Sequence, residues 1–498
     1  MSQLKKGAIL SYVTIVLTNI VGLVLTPFII EKLGDAEYGL YTLIGAFVGY
    51  ISVLDFGLNN TIVRFVAKYR AEKDKRAEEN FLGTTMLIYG IISLVVLFFG
   101  VLLYFNLDSI FSSSLTNTEL EKAKVMFVIL IFNLAITLPG GAFAAICSGY
   151  EHFVFPRAVN IGRYIFRSLM VVGLLMYGGD AVGLVILDTI MNILVISLNS
   201  FYVFKKLKVK FKFFQTELVL VKEIFSYSIW IFVFAVVQMF QWRSGQVILG
   251  VVTDTTTVAI YAIGIMLGTY YGAFASAINS VVLPKATKMV VNSETGESIT
   301  NMMVKIGKPI LLVLGLVLIN FSLFGKKFIY LWVGDTYKEA WFIAVMIMLL
   351  MTVPLTQGFG NSILEADNKI RGKALLNLIT MALGVLVGYF LAKDIGMNGM
   401  LYGILLGLFV NMIITNIYYV HFFNFKVIYF FKKLYAKFVF ILLISLILGL
   451  MLNYVFKDIT WMYFFVKVTL LSITYVYIVY LVFLNVEERK NVKKRLFK

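Results

Sequence analysis

A single cysteine, Cys147, and two histidines, His152 and His421, are the whole cysteine and histidine complement of 498 residues. No internal disulfide can form, and three such residues cannot complete a Cys/His zinc site. Cys147 and His152 lie five residues apart, so a thiol–imidazole pair exists on spacing alone. The plainer reading is a small core thiol at the end of an apolar helix and an interfacial imidazole, and neither a catalytic residue nor a metal site is assigned. Charge is scarce as well. Asp, Glu, Lys and Arg make up 14% of the chain, against about 25% in globular domains. Long polar connections are missing too: none between apolar runs reaches 30 residues, and none carries a Gly-rich phosphate loop or another nucleotide motif. With no room for a soluble catalytic domain, the chemistry belongs to a membrane.

Apolar sequence fills the chain instead. Hydrophobic residues make up 60% of it, and the mean hydropathy is +0.90. Runs of about 20 apolar residues, enough to cross roughly 30 Å of hydrocarbon, recur throughout. Fourteen spans are expected, at 7–30, 38–58, 82–106, 124–147, 158–177, 182–204, 224–250, 258–283, 303–325, 339–364, 374–391, 397–420, 434–454 and 461–485. The first lacks a small-residue cleavage site and leads straight into the second, which reads as a retained helix and not a signal peptide. With the N-terminus in the cytoplasm, 32 Lys and Arg fall on the cytoplasmic side and 8 on the other, the bias that orients multi-pass proteins. Both termini are therefore expected in the cytoplasm. The same residues account for the net charge of +17. Anionic lipid headgroups are their expected partners, and nucleic acid is not.

The chain also resembles itself. A shift of 220 residues places Tyr41 on Tyr261, Tyr50 on Tyr270, Asn59 on Asn279 and Lys68 on Lys288. A shift near 215 places "TLPGGAF" on "TVPLTQGF", so that Pro139 meets Pro354. This order predicts an all-α membrane protein with two six-helix lobes, 1–206 and 207–423, a terminal pair of spans at 424–485 and a basic tail at 486–498. Proline frees a backbone carbonyl that must find a partner inside the protein. Pro27, Pro139 and Pro354 are thus expected helix bends.

The opening residues carry a further likeness. "LGDAEYGLY" (33–41), then "DFGL" (55–58), then Arg64 resemble the start of the polysaccharide repeat-unit flippases of the MATE-like multidrug/oligosaccharidyl-lipid/polysaccharide superfamily. That resemblance implies two pseudo-symmetric lobes around a central lumen. It also implies alternating-access transport of an undecaprenyl-pyrophosphate-linked oligosaccharide across a bacterial cytoplasmic membrane, in the service of O-antigen, capsule or similar glycans. The implied partners are the lipid-linked glycan and the polymerase or export proteins that take it onward. No cofactor is expected, although transport can draw on a proton or sodium gradient.

Ionisable groups inside spans are costly and usually face a water-filled interior. Here they are Asp55, Arg163, Arg167, Asp188, Arg243 and Lys467. Arg163 and Arg167 share a helical face, and a guanidinium fork suits pyrophosphate. Arg163, Arg167, Arg243, Gln241, Gln246 and Asn192 are therefore the expected lumenal substrate groups, the amides serving sugar hydroxyls. Snorkelling toward headgroups is the competing reading for Arg163 and Arg167, and the preferred one for Lys467. Asp188, Asp55, Asn59, Asn60, Arg64 and Asn279 are expected to gate or couple. The bland alternative at Asp55 is a helix end fixed by an Asp55–Arg64 contact. Four basic groups against two acidic ones favour an anionic substrate over the cations of a drug antiporter. A peptidoglycan-precursor flippase fits equally well, whereas a membrane enzyme lacks the external loop it would need.

Overall fold

A computed structural model describes residues 3–212, 218–279, 281–483 and 489. Every described element is helical. In chain order these are α1 (Gln3–Leu33), α2 (Asp35–Ser52), α3 (Leu58–Glu72), α4 (Lys75–Phe111), α5 (Asn117–Gly149), α6 (Val154–Met176), α7 (Ala181–Lys205), α8 (Leu218–Trp242) and α9 (Ser244–Val252). There follow α10 (Thr255–Asn279), α11 (Leu283–Val291), α12 (Gly296–Val333), α13 (Ala340–Thr356), α14 (Gly358–Ala366), α15 (Ile370–Phe423), α16 (Val427–Val455) and α17 (Trp461–Ile478). Among the described residues, thirteen helical runs are long and apolar enough to cross a membrane. The expected tail 486–498 lies outside the described residues, apart from Arg489.

Short polar connections start the helices cleanly. Asp74, Thr116, Asp180, Thr295 and Thr460 each accept a backbone N–H in the first turn of the helix that follows, satisfying a donor that the helix itself cannot. At Thr116 the cap is reciprocal, because the Glu119 carboxylate accepts the Thr116 N–H at 2.9 Å. Large apolar side chains such as Leu94, Phe98 and Phe105 on α4 are exposed, a cost in water but none in hydrocarbon.

Three interruptions matter. Between α2 and α3, a 3-10 turn (Val53–Asp55) leads into Phe56 and Gly57 at φ 51° and 70°. Gly57 suits this left-handed turn, and Ile231 packs where a Cβ would stand. Between α13 and α14 the chain breaks at Gln357, three residues after Pro354. The third lies in α15, whose 54 residues include non-helical Ile395 and Gly396. A straight helix of that length would run about 80 Å, far beyond the bilayer, so the break turns one run into two arms. It falls in the gap expected between spans 374–391 and 397–420. Pro27 and Pro139, by contrast, sit in helices that continue unbroken. Pro139 leaves the Ala135 carbonyl without its helical donor, and Ser93 Oγ of α4 donates to that carbonyl at 2.8 Å.

Packing divides the chain into two compact units: Met1–Ala259 with Val385–Gly403, and Ile260–Gly384 with Ile404–Lys498. The first takes in α8 and α9 beside α1–α7, so it extends beyond the 206/207 boundary drawn from the repeat. Within it α5 is central, packed against α2, α3, α4 and α7, while α6 joins α1 to α7. Within the second unit α12 is central, against α13, α14, α16 and α17.

Candidate functional site

The charged groups of α6 and α7 form a two-rung ladder. Arg163 Nη1 donates to Asn192 Oδ1 at 2.7 Å. One turn on along α6 and one turn back along α7, Arg167 grips Asp188 with both arms of its fork, Nε on Oδ1 and Nη2 on Oδ2, the latter at 2.9 Å. The Tyr41 hydroxyl of α2 closes this rung. It donates to Asp188 Oδ2 at 3.2 Å and accepts from Arg167 Nη2 at 3.5 Å. The other rung runs into α5, where Asn133 Oδ1 accepts from Asn192 Nδ2 at 3.0 Å and from Thr137 Oγ1 at 2.9 Å. Arg163 therefore hydrogen-bonds a neutral oxygen and lies 5.0 Å from the Tyr164 ring, and its buried Nε has no hydrogen-bond partner.

Arg243 occupies the junction between α8 and α9, where its backbone (φ −115°) ends one helix and starts the next. Its side chain is exposed, and among the described residues it has no ion-pair or side-chain hydrogen-bond partner. The Tyr50 ring of α2 meets Phe240 of α8 edge-on at 6.4 Å. Of the three guanidiniums, only that of Arg167 is paired with a carboxylate among the described residues.

The other expected residues divide. Asn192 and Asp188 belong to the ladder. Gln241 is half-buried on α8, and Gln246 is buried on α9 with its Oε1 unpartnered. Asp55 Oδ1 accepts from Tyr89 Oη of α4 at 3.0 Å and from Asn59 Nδ2 at 3.3 Å. The Asp55–Arg64 contact, the bland alternative from the sequence, is not formed. The Arg64 side chain is exposed on α3, its guanidinium 5.9 Å from the Phe65 ring, and the Asp55 carboxylate is held by Tyr89 and Asn59 instead. Asn60 is exposed. Asn59 lies on α5 at Gly141, two residues past Pro139, and in the second unit Asn279 lies on Gly358, four residues past Pro354.

Lys467, expected to snorkel, is held inside the protein. It is 1% exposed and donates to Asn453 Oδ1 of α16 at 3.5 Å, an oxygen that Lys327 also contacts at 3.2 Å. Cys147 is buried, and the His152 ring pairs through Nδ1 with Tyr202 Oη at 2.8 Å instead of with the thiol.

Three residues of these networks do not stand out in the sequence. Tyr41 is a landmark of the repeat, but nothing in its surroundings marks it as a partner for charge. Asn133 is a lone amide in an apolar run, a signal that does point to a buried polar contact. Lys373 reads as loop charge, yet it is buried and donates to Asn361 Oδ1 and to Tyr419 Oη, the latter at 3.5 Å.

Comparison with known proteins follows the same lines. The family model described as polysaccharide biosynthesis protein matches residues 4–290. A candidate O-antigen transporter of Shigella flexneri is 21% identical over 390 residues, spanning 75% of this chain and 87% of its own. Two solved structures share the fold at a TM-score of 0.62 each. One is a multidrug resistance MATE family transporter of the MOP superfamily, inward-facing, 16% identical, covering 84% of this chain and 98% of the other. The second is the lipid II flippase MurJ, inward closed, 15% identical, covering 95% of this chain and 98% of the other.

Proposed function

This chain belongs to the family of polysaccharide biosynthesis proteins, and on that premise we propose that it is a flippase for lipid-linked glycan. It is a multi-pass membrane protein of the transporter type. The proposed substrate is a polyprenyl-pyrophosphate-linked oligosaccharide repeat unit, carried across the bacterial cytoplasmic membrane by alternating access. Fourteen spans with both termini in the cytoplasm complete the proposal: the thirteen observed runs become fourteen when the arms of α15 are counted separately.

One observation carries the reading. Arg243 is a guanidinium without a counter-ion among the described residues, and Arg163 of the ladder hydrogen-bonds an amide oxygen and no carboxylate. A cationic drug would be repelled by three guanidiniums whose single carboxylate is taken, whereas a pyrophosphate supplies the charge the cluster lacks. Pyrophosphate also offers paired oxygens of the kind a guanidinium fork accepts, so it can compete with Asp188 for Arg167.

The test is complementation of a deletion strain, reading surface glycan by blotting alongside membrane abundance. Arg243→Ala should abolish surface glycan at normal abundance, with partial recovery in Arg243→Lys. Full export by Arg243→Ala would remove Arg243 from the mechanism. Drug resistance on overexpression, with glycan unaffected by deletion, would overturn the flippase reading itself.

A further inference from the structure

The corner where α12, α16 and α17 meet has a charge arrangement unrelated to the ladder. Lys327 and Lys467 direct their ammonium groups at the same atom, Asn453 Oδ1, at 3.2 and 3.5 Å. Two like charges sharing one neutral acceptor repel each other. An anion nearby would relieve that repulsion. Asp458 acts on Lys467 through space, but no ion pair joins them among the described residues. Asn453 is two residues from the end of α16, so the two ammonium groups meet near the end of that helix.

Beside this corner, α12 and α17 enclose an apolar groove of about 350 Å³. Leu316, Val317 and Phe321 line it from α12, and Phe464 and Val468 from α17. Its mouth is aromatic. Phe328 stacks on Trp332 at 5.3 Å and meets Trp461 at 6.1 Å and Phe464 at 5.7 Å, and tryptophan favours the headgroup level of a bilayer. From Phe328 down to Leu316 the groove follows about 18 Å of helix, a length that suits an acyl chain. At its floor Asn320 donates to Leu316 O and Ser472 Oγ, while its own Oδ1 is buried without a partner. Lys327 stands on the same helical stripe as Asn320, two turns nearer the end, and Lys467 adjoins Val468.

We propose that this corner binds an anionic phospholipid, its phosphate between Lys327 and Lys467 and one acyl chain in the α12–α17 groove. The charge pair selects the headgroup and the groove selects the chain, so neither a zwitterionic lipid nor free phosphate satisfies both. The site is built on other helices than the Arg163–Arg167–Arg243 cluster and does not depend on what that cluster transports.

The experiment uses the purified, delipidated full-length protein in detergent. Its melting temperature and retained lipid, read by native mass spectrometry, are measured with added phosphatidylglycerol or phosphatidylcholine. Phosphatidylglycerol should raise the melting temperature of the wild type by several degrees and remain bound, and phosphatidylcholine should do neither. Lys327→Gln should lower retained phosphatidylglycerol at least fivefold, and Lys327→Gln/Lys467→Gln should lower it further. Because Lys467 is buried and its variant can fail to fold, Val317→Trp serves as the second probe. It fills the groove from an exposed position and should abolish the shift without disturbing gel-filtration behaviour. Equal stabilisation by both lipids, or an undiminished shift in Lys327→Gln and Val317→Trp, would overturn the proposal. It fails equally if inorganic phosphate alone reproduces the shift, or if undecaprenyl phosphate displaces phosphatidylglycerol, which would make the corner a seat for the substrate's chain.

Discussion

Asn279 donates a hydrogen bond of 3.1 Å from its side-chain amide to the carbonyl of Leu355, the residue that follows Pro354. In the other unit Asn59 rests on Gly141, two residues past Pro139. Two asparagines and two prolines matched by separate sequence shifts thus meet as the same kind of pair in each unit. Both asparagines keep a buried Oδ1 without a partner.

The glycines under these amides are tight. A Cβ on Gly358 would overlap the Asn279 amide, and one on Gly141 would lie 2.9 Å from the Asn59 amide atoms, whereas Gly49 on α2 has nothing within 4 Å. Gly358→Ala should cost about 1–3 kcal/mol by overpacking and Gly141→Ala less. Gly49→Ala should be neutral or mildly stabilising, by up to about 1 kcal/mol. Melting temperatures of the three purified variants test the order, and equal losses at Gly49 and Gly358 would contradict it.

Removing one partner of the Arg167–Asp188 pair should hurt more than removing both. The side chains are 22% and 25% exposed, so the loss for Asp188→Leu should be about 2 kcal/mol, below the roughly 3–5 kcal/mol of fully buried pairs. Arg167→Leu/Asp188→Leu should recover much of it. A double variant no more stable than Asp188→Leu would show that the pair is not the source of the loss.

Lys373 is a buried ammonium bonded to an amide oxygen and a phenol, and no carboxylate pairs with it among the described residues. Lys373→Met keeps the volume and drops the desolvated charge, so stability should be unchanged or increased. Asn361→Leu strands the ammonium and should cost about 1–3 kcal/mol. Chemical unfolding of both variants decides, and the reverse ranking would mean that Lys373 has a counter-ion.

A double-mutant cycle separates the two accounts of Asp55. Coupling between Asp55→Asn and Tyr89→Phe should be about 1.5 kcal/mol, as for a charged hydrogen bond. The cycle with Arg64→Ala should give close to zero. Strong Arg64 coupling with none to Tyr89 would point to a different resting arrangement.

The membrane class, the helical spans and the family are legible in the sequence because hydrocarbon demands long apolar runs and the opening motif is compact. The gap at 391–397 is legible for the same reason, and α15 breaks inside it at Ile395 and Gly396. Partner choice is not. Helical spacing places Arg163 and Arg167 on one face but does not say which helix lies opposite, so the spacing alone cannot join Asp188 and Asn192 to the arginines that hold them. Lys467 reads as a snorkelling group because distance from a helix end cannot reveal Asn453 on a neighbouring helix. Lys373 passes for loop charge because a lysine among charged neighbours carries no sign of burial. The first packing unit reaches Ala259 because α8 and α9 pack on α2 and α3, which a repeat boundary cannot express.

The ladder between α6 and α7 has a mechanical consequence. Its rungs are spaced by whole turns, with a guanidinium at each end on α6 and a carboxylate and an amide on α7. If α6 slid along α7 by one turn, about 5.4 Å, Asp188 would pass from Arg167 to Arg163, leaving Arg167 facing Leu184. A half-turn slide would satisfy neither arginine. Such a pair would act as a detent, favouring discrete registers of the two helices and exchanging which arginine holds the carboxylate at the step.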